Sequence, residues 1–175
     1  NIVESINDSE NKEARESMML AASAAGVGFG NAGVHLPHGM SYAVSGNVKE
    51  FTPEGYPQGK AIVPHGLSVI LNAPAVFRFT SSSNPKKHLK AASLLGVDTS
   101  NINEENAGNA IADKLIKLLR ELNMPNGLSG LGYTEGDVQT LVEGTLPQHR
   151  VTKLSPIPVE RKDFEMLFSE SLKLW

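Results

Sequence analysis

The chain of 175 residues contains no cysteine. That excludes a disulfide scaffold, thiolate-bound zinc, iron–sulfur clusters and any thiol nucleophile, and it fits a reducing compartment. Neither sign of charge is in large excess: 16 Lys and Arg stand against 19 Asp and Glu, a net charge of −3. Such a balance implies no broad basic face and argues against nucleic acid or an anionic membrane surface as a partner. No run of about 18 apolar residues occurs, which excludes a transmembrane helix. Gly and Pro, at 16 and 10 residues, lie only slightly above ordinary usage, which excludes a collagen-like or disordered chain. An initiator methionine is also missing, because the first residue is Asn1. The stretch Asn7-Asp8-Ser9-Glu10-Asn11-Lys12 is polar, and the N-terminus shows neither a signal-peptide core nor an Arg-rich presequence. The chain is therefore expected to have been cut from something longer. Its length suits one domain with a core of its own.

What is present is helical periodicity. Residues 10–25 are rich in helix formers, with Met18, Met19, Ala22 and Ala25 at helical spacing. Gly26, Gly28 and Gly30 are expected to end that helix. Residues 64–80 carry Leu67, Ile70, Leu71, Ala75 and Phe79. Pro64 suits a first helical position, and Pro74 is expected to kink or split the segment. Pro85 opens a short helix that Gly96 closes. Residues 106–122 read as the clearest helix, with Ile111, Leu115, Leu118, Leu119 and Leu122 in one apolar stripe. Thr134 and Asp137 resemble a capping box ahead of Val138, Leu141 and Val142. Residues 161–175 place Phe164, Leu167, Phe168, Leu172 and Trp175 on one face. There is no internal repeat and no extended alternating strand pattern. The expected class is all-α, without coiled-coil heptads.

Three of the five histidines, His35, His38 and His65, fall between Gly26 and Gly66. Two share one local form, Pro37-His38-Gly39 and Pro64-His65-Gly66. Each Pro fixes the backbone before the imidazole, and each Gly permits a close approach after it. The pattern suits positioned imidazoles and equally suits ordinary loop or helix-start histidines. Their separation matches no local zinc pattern such as His-Glu-x-x-His. His35 and His38, three apart, could pair as ligands, but no nearby carboxylate completes a set. His88, beside Lys86, Lys87 and Lys90, reads as a solvated surface histidine. His149, beside Arg150, has no evident partner. Gly28-Phe29-Gly30-Asn31-Ala32-Gly33 satisfies G-x-G-x-x-G, yet a helical segment precedes it and Pro37 follows, so it is not a dinucleotide loop. These glycines are expected to serve close packing around the histidine segment. No G-x-S-x-G elbow and no P-loop occur.

The stretch Gly28-Phe29-Gly30-Asn31-Ala32-Gly33-Val34-His35-Leu36-Pro37-His38-Gly39-Met40 resembles the second-domain signature of iron-containing alcohol dehydrogenases. So does Pro64-His65-Gly66-Leu67-Ser68-Val69-Ile70-Leu71-Asn72-Ala73-Pro74-Ala75-Val76-Phe77. Leu131-Gly132-Tyr133, the run from Val142 to Leu154, and the insertion between Tyr42 and Pro64 resemble the hydroxyacid-oxoacid transhydrogenase branch of that family. The likeness covers almost the whole chain, with the motifs in order.

The resemblance implies the C-terminal helical domain of the dehydroquinate synthase-like fold. Residues 1–175 would form a helical metal-binding domain, with the α/β dinucleotide-binding domain outside this chain. It implies that His38 and His65 are metal ligands. An Asp and a His upstream of Asn1 would complete the set. The implied cofactors are a divalent metal, Fe2+ or alternatively Zn2+, and NAD. The implied reaction is hydride transfer between a hydroxyacid and an oxoacid through bound NAD, with 4-hydroxybutyrate and 2-oxoglutarate as the expected pair. The implied partners are these small molecules and the nucleotide-binding domain, with a homo-oligomer compatible and neither nucleic acid nor membrane expected. The branch implies a mitochondrial location, or the cytoplasm in a bacterium.

Many members of the family carry another histidine four residues after the first of these two ligands. Here that position is Tyr42. A phenol can donate and relay a proton, but it is a poor base at neutral pH. Tyr42 and His35 are the candidate proton relays. Two further readings stay open: an NAD(P)-dependent alcohol dehydrogenase with exchangeable cofactor, and a free-standing helical binding module.

Overall fold

Local capping chemistry sets the boundaries of the helices in a computed structural model that describes residues 1–175. The regular elements are all helical: α1 (Ile2–Asn7), α2 (Lys12–Ala32), α3 (Leu36–Gly46), α4 (His65–Ile70), α5 (Ala73–Thr80), α6 (Pro85–Leu94), α7 (Ala107–Glu121), α8 (Val138–Thr145), α9 (His149–Thr152) and α10 (Arg161–Leu172). The Asn11 side chain accepts from the Ala14 N–H at 3.0 Å and starts α2. Asn84 does the same for α6 at Lys87, 3.1 Å away, with Pro85 in the first turn. Thr134 and Asp137 form the expected capping box, which opens a 3-10 turn leading into α8. No helix is long and apolar enough to cross a membrane.

The glycines of the long N-terminal helix behave differently from the expectation. Gly26, Gly28 and Gly30 do not end α2, which continues through them to Ala32. Glycine in a helix interior costs only about 1 kcal/mol relative to Ala. The stop comes at Gly33, whose φ of +78° is open to glycine and strained for other residues. Nor do Gly28 and Gly30 serve close packing, since a Cβ on each would meet nothing within 4 Å; of the motif's glycines only Gly33 does, where a Cβ would lie 2.6 Å from Leu154 Cδ1. Of the 21 residues in α2 only Ala14 is buried, and Met19, Leu20, Val27 and Phe29 are exposed.

Pro74 splits the second segment as expected: α4 ends at Ile70, and Pro74 sits in the first turn of α5. Pro64 caps α4 instead of opening it. Along α7, Ile111 and Leu119 are buried, while Leu115, Leu118 and Leu122 are half-buried. Gly108 brings α7 against α5, because a Cβ there would lie 2.8 Å from the Arg78 Cα. The last helix stops at Leu172, short of the expected Trp175. The Asn126 side chain holds the terminal strand of chain instead, accepting from the Leu174 and Trp175 N–H groups at 2.8 and 3.0 Å. The Arg120 guanidinium lies 5.9 Å from the Trp175 ring centre.

One apolar core of 19 buried residues joins α3, α5, α7, α8 and α10. Leu36, Met40 and Val44 of α3 meet Val138, Leu141 and Val142 of α8, and Phe164, Leu167 and Phe168 of α10 enter the same cluster. Each fully buried aliphatic or aromatic side chain contributes about 1.5–3 kcal/mol of transfer free energy. Tyr133 donates its hydroxyl to the Val44 carbonyl, which ties the end of α3 into this core. The insertion between α3 and α4 folds on itself: the Ile62 N–H donates to the Phe51 carbonyl at 2.7 Å, and Thr52 Oγ1 to the Lys60 carbonyl at 3.0 Å. Lys49 then pairs with Asp137 at 2.6 Å. The outcome is that α3 and α4, distant in sequence, pack against each other.

Candidate metal centre

The packing of α3 on α4 brings the two punctuated histidines together. The rings of His38 and His65 lie 5.3 Å apart between centroids, tilted by 57°. Both occupy first turns, so both side chains are placed by a helix start that a proline has fixed. A matching hydrogen bond repeats at each. Ser41 Oγ donates to the His38 carbonyl at 2.7 Å, and Ser68 Oγ donates to the His65 carbonyl at 2.8 Å. Both serines are fully buried. The shared form is therefore Pro-His-Gly-x-Ser. Its serines were legible in the sequence but carried no expectation there.

The glycine half of the pattern divides. Gly39 lets α9 approach α3, since a Cβ there would lie 2.6 Å from Thr152 Cγ2. Gly66 faces open space, so close approach is not its role.

The donor set fits a cation in part. Two imidazoles bound about 2.1 Å from one tetrahedral ion have centroids roughly 5 Å apart, and the observed spacing matches. Burial, and then the neighbouring His65, push His38 below its ordinary pKa. That favours the neutral imidazole a metal requires. The match is incomplete: no group of three or more His, Asp or Glu gathers in a ligand arrangement. The helices α3, α4 and α9 carry no carboxylate at all. A full coordination sphere needs ligands from outside these helices.

His35 caps the start of α3. It is half-buried, and its Nδ1 is buried without a hydrogen-bond partner. Burial, then the charges of His38 and His88, hold its pKa below the usual histidine value. His88 is not the solvated surface histidine expected from its lysine neighbours. It is half-buried, with Nδ1 donating to the Asn84 carbonyl at 2.9 Å, Nε2 3.3 Å from Thr80 Oγ1, and Phe77 edge-on at 6.0 Å. Lys86, Lys87 and Lys90 do point to solvent; the helix periodicity that exposes them turns His88 inward. His149 is exposed at the start of α9. Four of the five histidines thus stand in one region of the fold.

Tyr42 follows His38 by one helical turn and is 37% exposed. Arg150 Nη2 of α9 donates to its hydroxyl at 3.1 Å. Sequence reasoning passed over Arg150. It lay within the run from Val142 to Leu154 without a role, because the contact depends on the seating of α9 against Gly39.

The sequence and the fold both have relatives. Residues 1–172 match the family model described as Fe-containing alcohol dehydrogenase family, C-terminal. The chain belongs to that family. Within it, the sequence groups with hydroxyacid-oxoacid transhydrogenases. It is 54% identical over 163 residues to a probable mitochondrial hydroxyacid-oxoacid transhydrogenase of Dictyostelium discoideum, covering 93% of this chain and 30% of that protein. It is 49% identical to the mitochondrial enzyme of Bos taurus and 48% to that of Homo sapiens, each over 97% of this chain and 36% of the relative. The chain therefore spans about a third of the length of these curated relatives. The fold matches 1,3-propanediol oxidoreductase with a TM-score of 0.84 at 23% identity, over 98% of this chain and 41% of that one. An alcohol dehydrogenase from Oenococcus oeni also matches at 0.84, with 20% identity and 97% and 40% coverage. These relatives confirm the all-helical C-terminal domain of the family, and none of them is a free-standing binding module.

Proposed function

We propose that this chain is the helical, metal-bearing part of an oxidoreductase that exchanges hydride between a hydroxyacid and an oxoacid through bound NAD. The observation that supports it is the 5.3 Å pairing of His38 and His65 by two proline-fixed helix starts. In this reading the two histidines hold a divalent metal, Fe2+ or Zn2+, and an Asp and a His from outside the chain complete the set. When bound, the metal would supply Lewis-acid chemistry at a substrate oxygen, and the nicotinamide would supply the hydride carrier. The remaining tasks fall to this chain's residues. Ser41 and Ser68 hold the backbones that carry the two imidazoles. Arg150 occupies the Tyr42 oxygen as a donor, which leaves the phenol O–H free to donate toward a substrate oxygen one turn from His38. His35, kept neutral by burial, is the second candidate for moving a proton. The substrate pair implied by the family resemblance is 4-hydroxybutyrate with 2-oxoglutarate; the names of the relatives suggest a hydroxyacid, an oxoacid and a mitochondrial location.

The test uses the full-length protein with 4-hydroxybutyrate and 2-oxoglutarate and no added NAD. Formation of 2-hydroxyglutarate is the expected result. Turnover only on addition of NAD would show an alcohol dehydrogenase with exchangeable cofactor, and none under either condition would overturn the reading. Full turnover in Tyr42→Phe would remove the phenol from proton transfer.

A further inference from the structure

We propose that Arg150, set by its hydrogen bond to Tyr42, binds the carboxylate of the substrate. The proposal rests on the hydride-transfer reading and names the group that selects acids over neutral alcohols.

The charge distribution carries the argument. The helices α3, α4 and α9 contain no Asp or Glu, and Arg150 is their one full cation. No acidic residue occurs between Glu143 and Glu160, or between Glu54 and Asp98. Every ion pair in the structure involves other residues, so Arg150 has no carboxylate partner. Of the other arginines, Arg78 and Arg161 are paired with Asp113 and Glu143, Arg120 lies over Trp175, and Arg15, also without an ion pair, stands on α2. An unpaired guanidinium on helices that carry no carboxylate is a ready partner for an anionic ligand.

The placement is equally specific. Val151 and Thr152 of α9 lie against Gly39, the residue next to His38. This contact seats α9 on the first turn of α3. Arg150 then reaches Tyr42, one turn along α3 from His38. Side chains one helical turn apart have Cβ atoms about 5–6 Å apart. Tyr42 thus joins the two: its hydroxyl accepts from the guanidinium, and its backbone lies one turn from His38. A four- or five-carbon acid has its reacting carbon and its carboxylate at opposite ends. It can place one toward His38 and His65 and the other toward Arg150. One Nη of Arg150 serves Tyr42, and the other N–H groups of the planar fork remain for the carboxylate. A neutral alcohol gains nothing from that fork.

The experiment compares 4-hydroxybutyrate with its uncharged counterpart 1,4-butanediol in the full-length protein, reading reduction of the bound nicotinamide. The preference for the acid, taken as a ratio of kcat/KM values, is expected to fall roughly 10- to 100-fold in Arg150→Gln, the range for loss of charge-assisted hydrogen bonds. Arg150→Lys, which keeps the charge without the fork, should recover part of it. Calorimetric titration with glutarate, which has no hydroxyl to oxidise, should show its Kd raised by a similar factor in Arg150→Gln. An unchanged ratio, or equal losses on both substrates, would overturn the assignment while leaving the hydride-transfer reading in place. Wild-type protein that oxidises neither compound would overturn that reading and this one with it.

Discussion

His38 and His65 face each other with ring centroids 5.3 Å apart, and nothing local in the sequence brings them there. The insertion between them closes on itself through Phe51, Thr52, Lys60 and Ile62. That closure returns the chain so that α4 lies against α3. The two imidazoles meet because two helix starts meet.

The glycines make the first prediction. Gly39→Ala would drive a methyl to within 2.6 Å of Thr152 Cγ2. A stability loss of about 1–3 kcal/mol is expected, as for overpacking elsewhere. Gly26→Ala enters open space on α2 and should instead stabilise that helix by up to about 1 kcal/mol. Thermal melts by circular dichroism of the two variants should move in opposite directions. Equal shifts would show that α9 does not seat on Gly39.

Tyr133 makes the second. Its hydroxyl donates to the Val44 carbonyl inside the core, and burial, with a smaller effect from Asp137, pushes its pKa up to about 12. The unfolded chain loses this proton near the ordinary tyrosine value of about 10. Stability from this group is therefore complete below about pH 10 and is lost as pH rises from there toward 12. Tyr133→Phe should cost about 1–3 kcal/mol at neutral pH, because the Val44 carbonyl is left buried and unpaired. The same variant should flatten the alkaline slope, as read by denaturant unfolding at several pH values.

The sequence carried the all-α class and most of the helices, because apolar stripes and Pro or Asx caps act over one or two turns. It also carried His38 and His65 through their repeated punctuation. The errors have two physical sources, one local to the backbone and one in packing between elements. Gly26, Gly28 and Gly30 read as a stop because each is a poor helix former, but an interior glycine costs a helix only about 1 kcal/mol, and α2 runs on to Gly33, where φ turns positive. His88 read as solvated because its neighbours are lysines, whereas its burial depends on Phe77 and Thr80 of the preceding helix. Arg150 meets Tyr42 only through packing of α9 on α3. Contacts between distant segments leave no local trace.

His35 makes the third prediction. Burial first, then the charges of His38 and His88, lower its pKa in the folded chain. The unfolded chain takes up protons near the ordinary value of about 6.5 before the folded chain does. Stability is then complete above about pH 6.5 and declines as pH falls below it. His35→Gln should reduce that decline, measured as thermal midpoints across the acid range. An unchanged acid slope would assign the effect to another group.

The central claim is that His38 and His65 bind one metal ion together. Elemental analysis of the full-length protein after dialysis against a chelator tests it most directly, with His38→Ala and His65→Ala measured beside the wild type. The account predicts about one divalent ion per wild-type chain and loss of most of it in each variant with helix content unchanged. It also predicts metal well below one equivalent in residues 1–175 alone, since on the proposed reading two further ligands come from outside them. Undiminished metal in either variant would contradict the account.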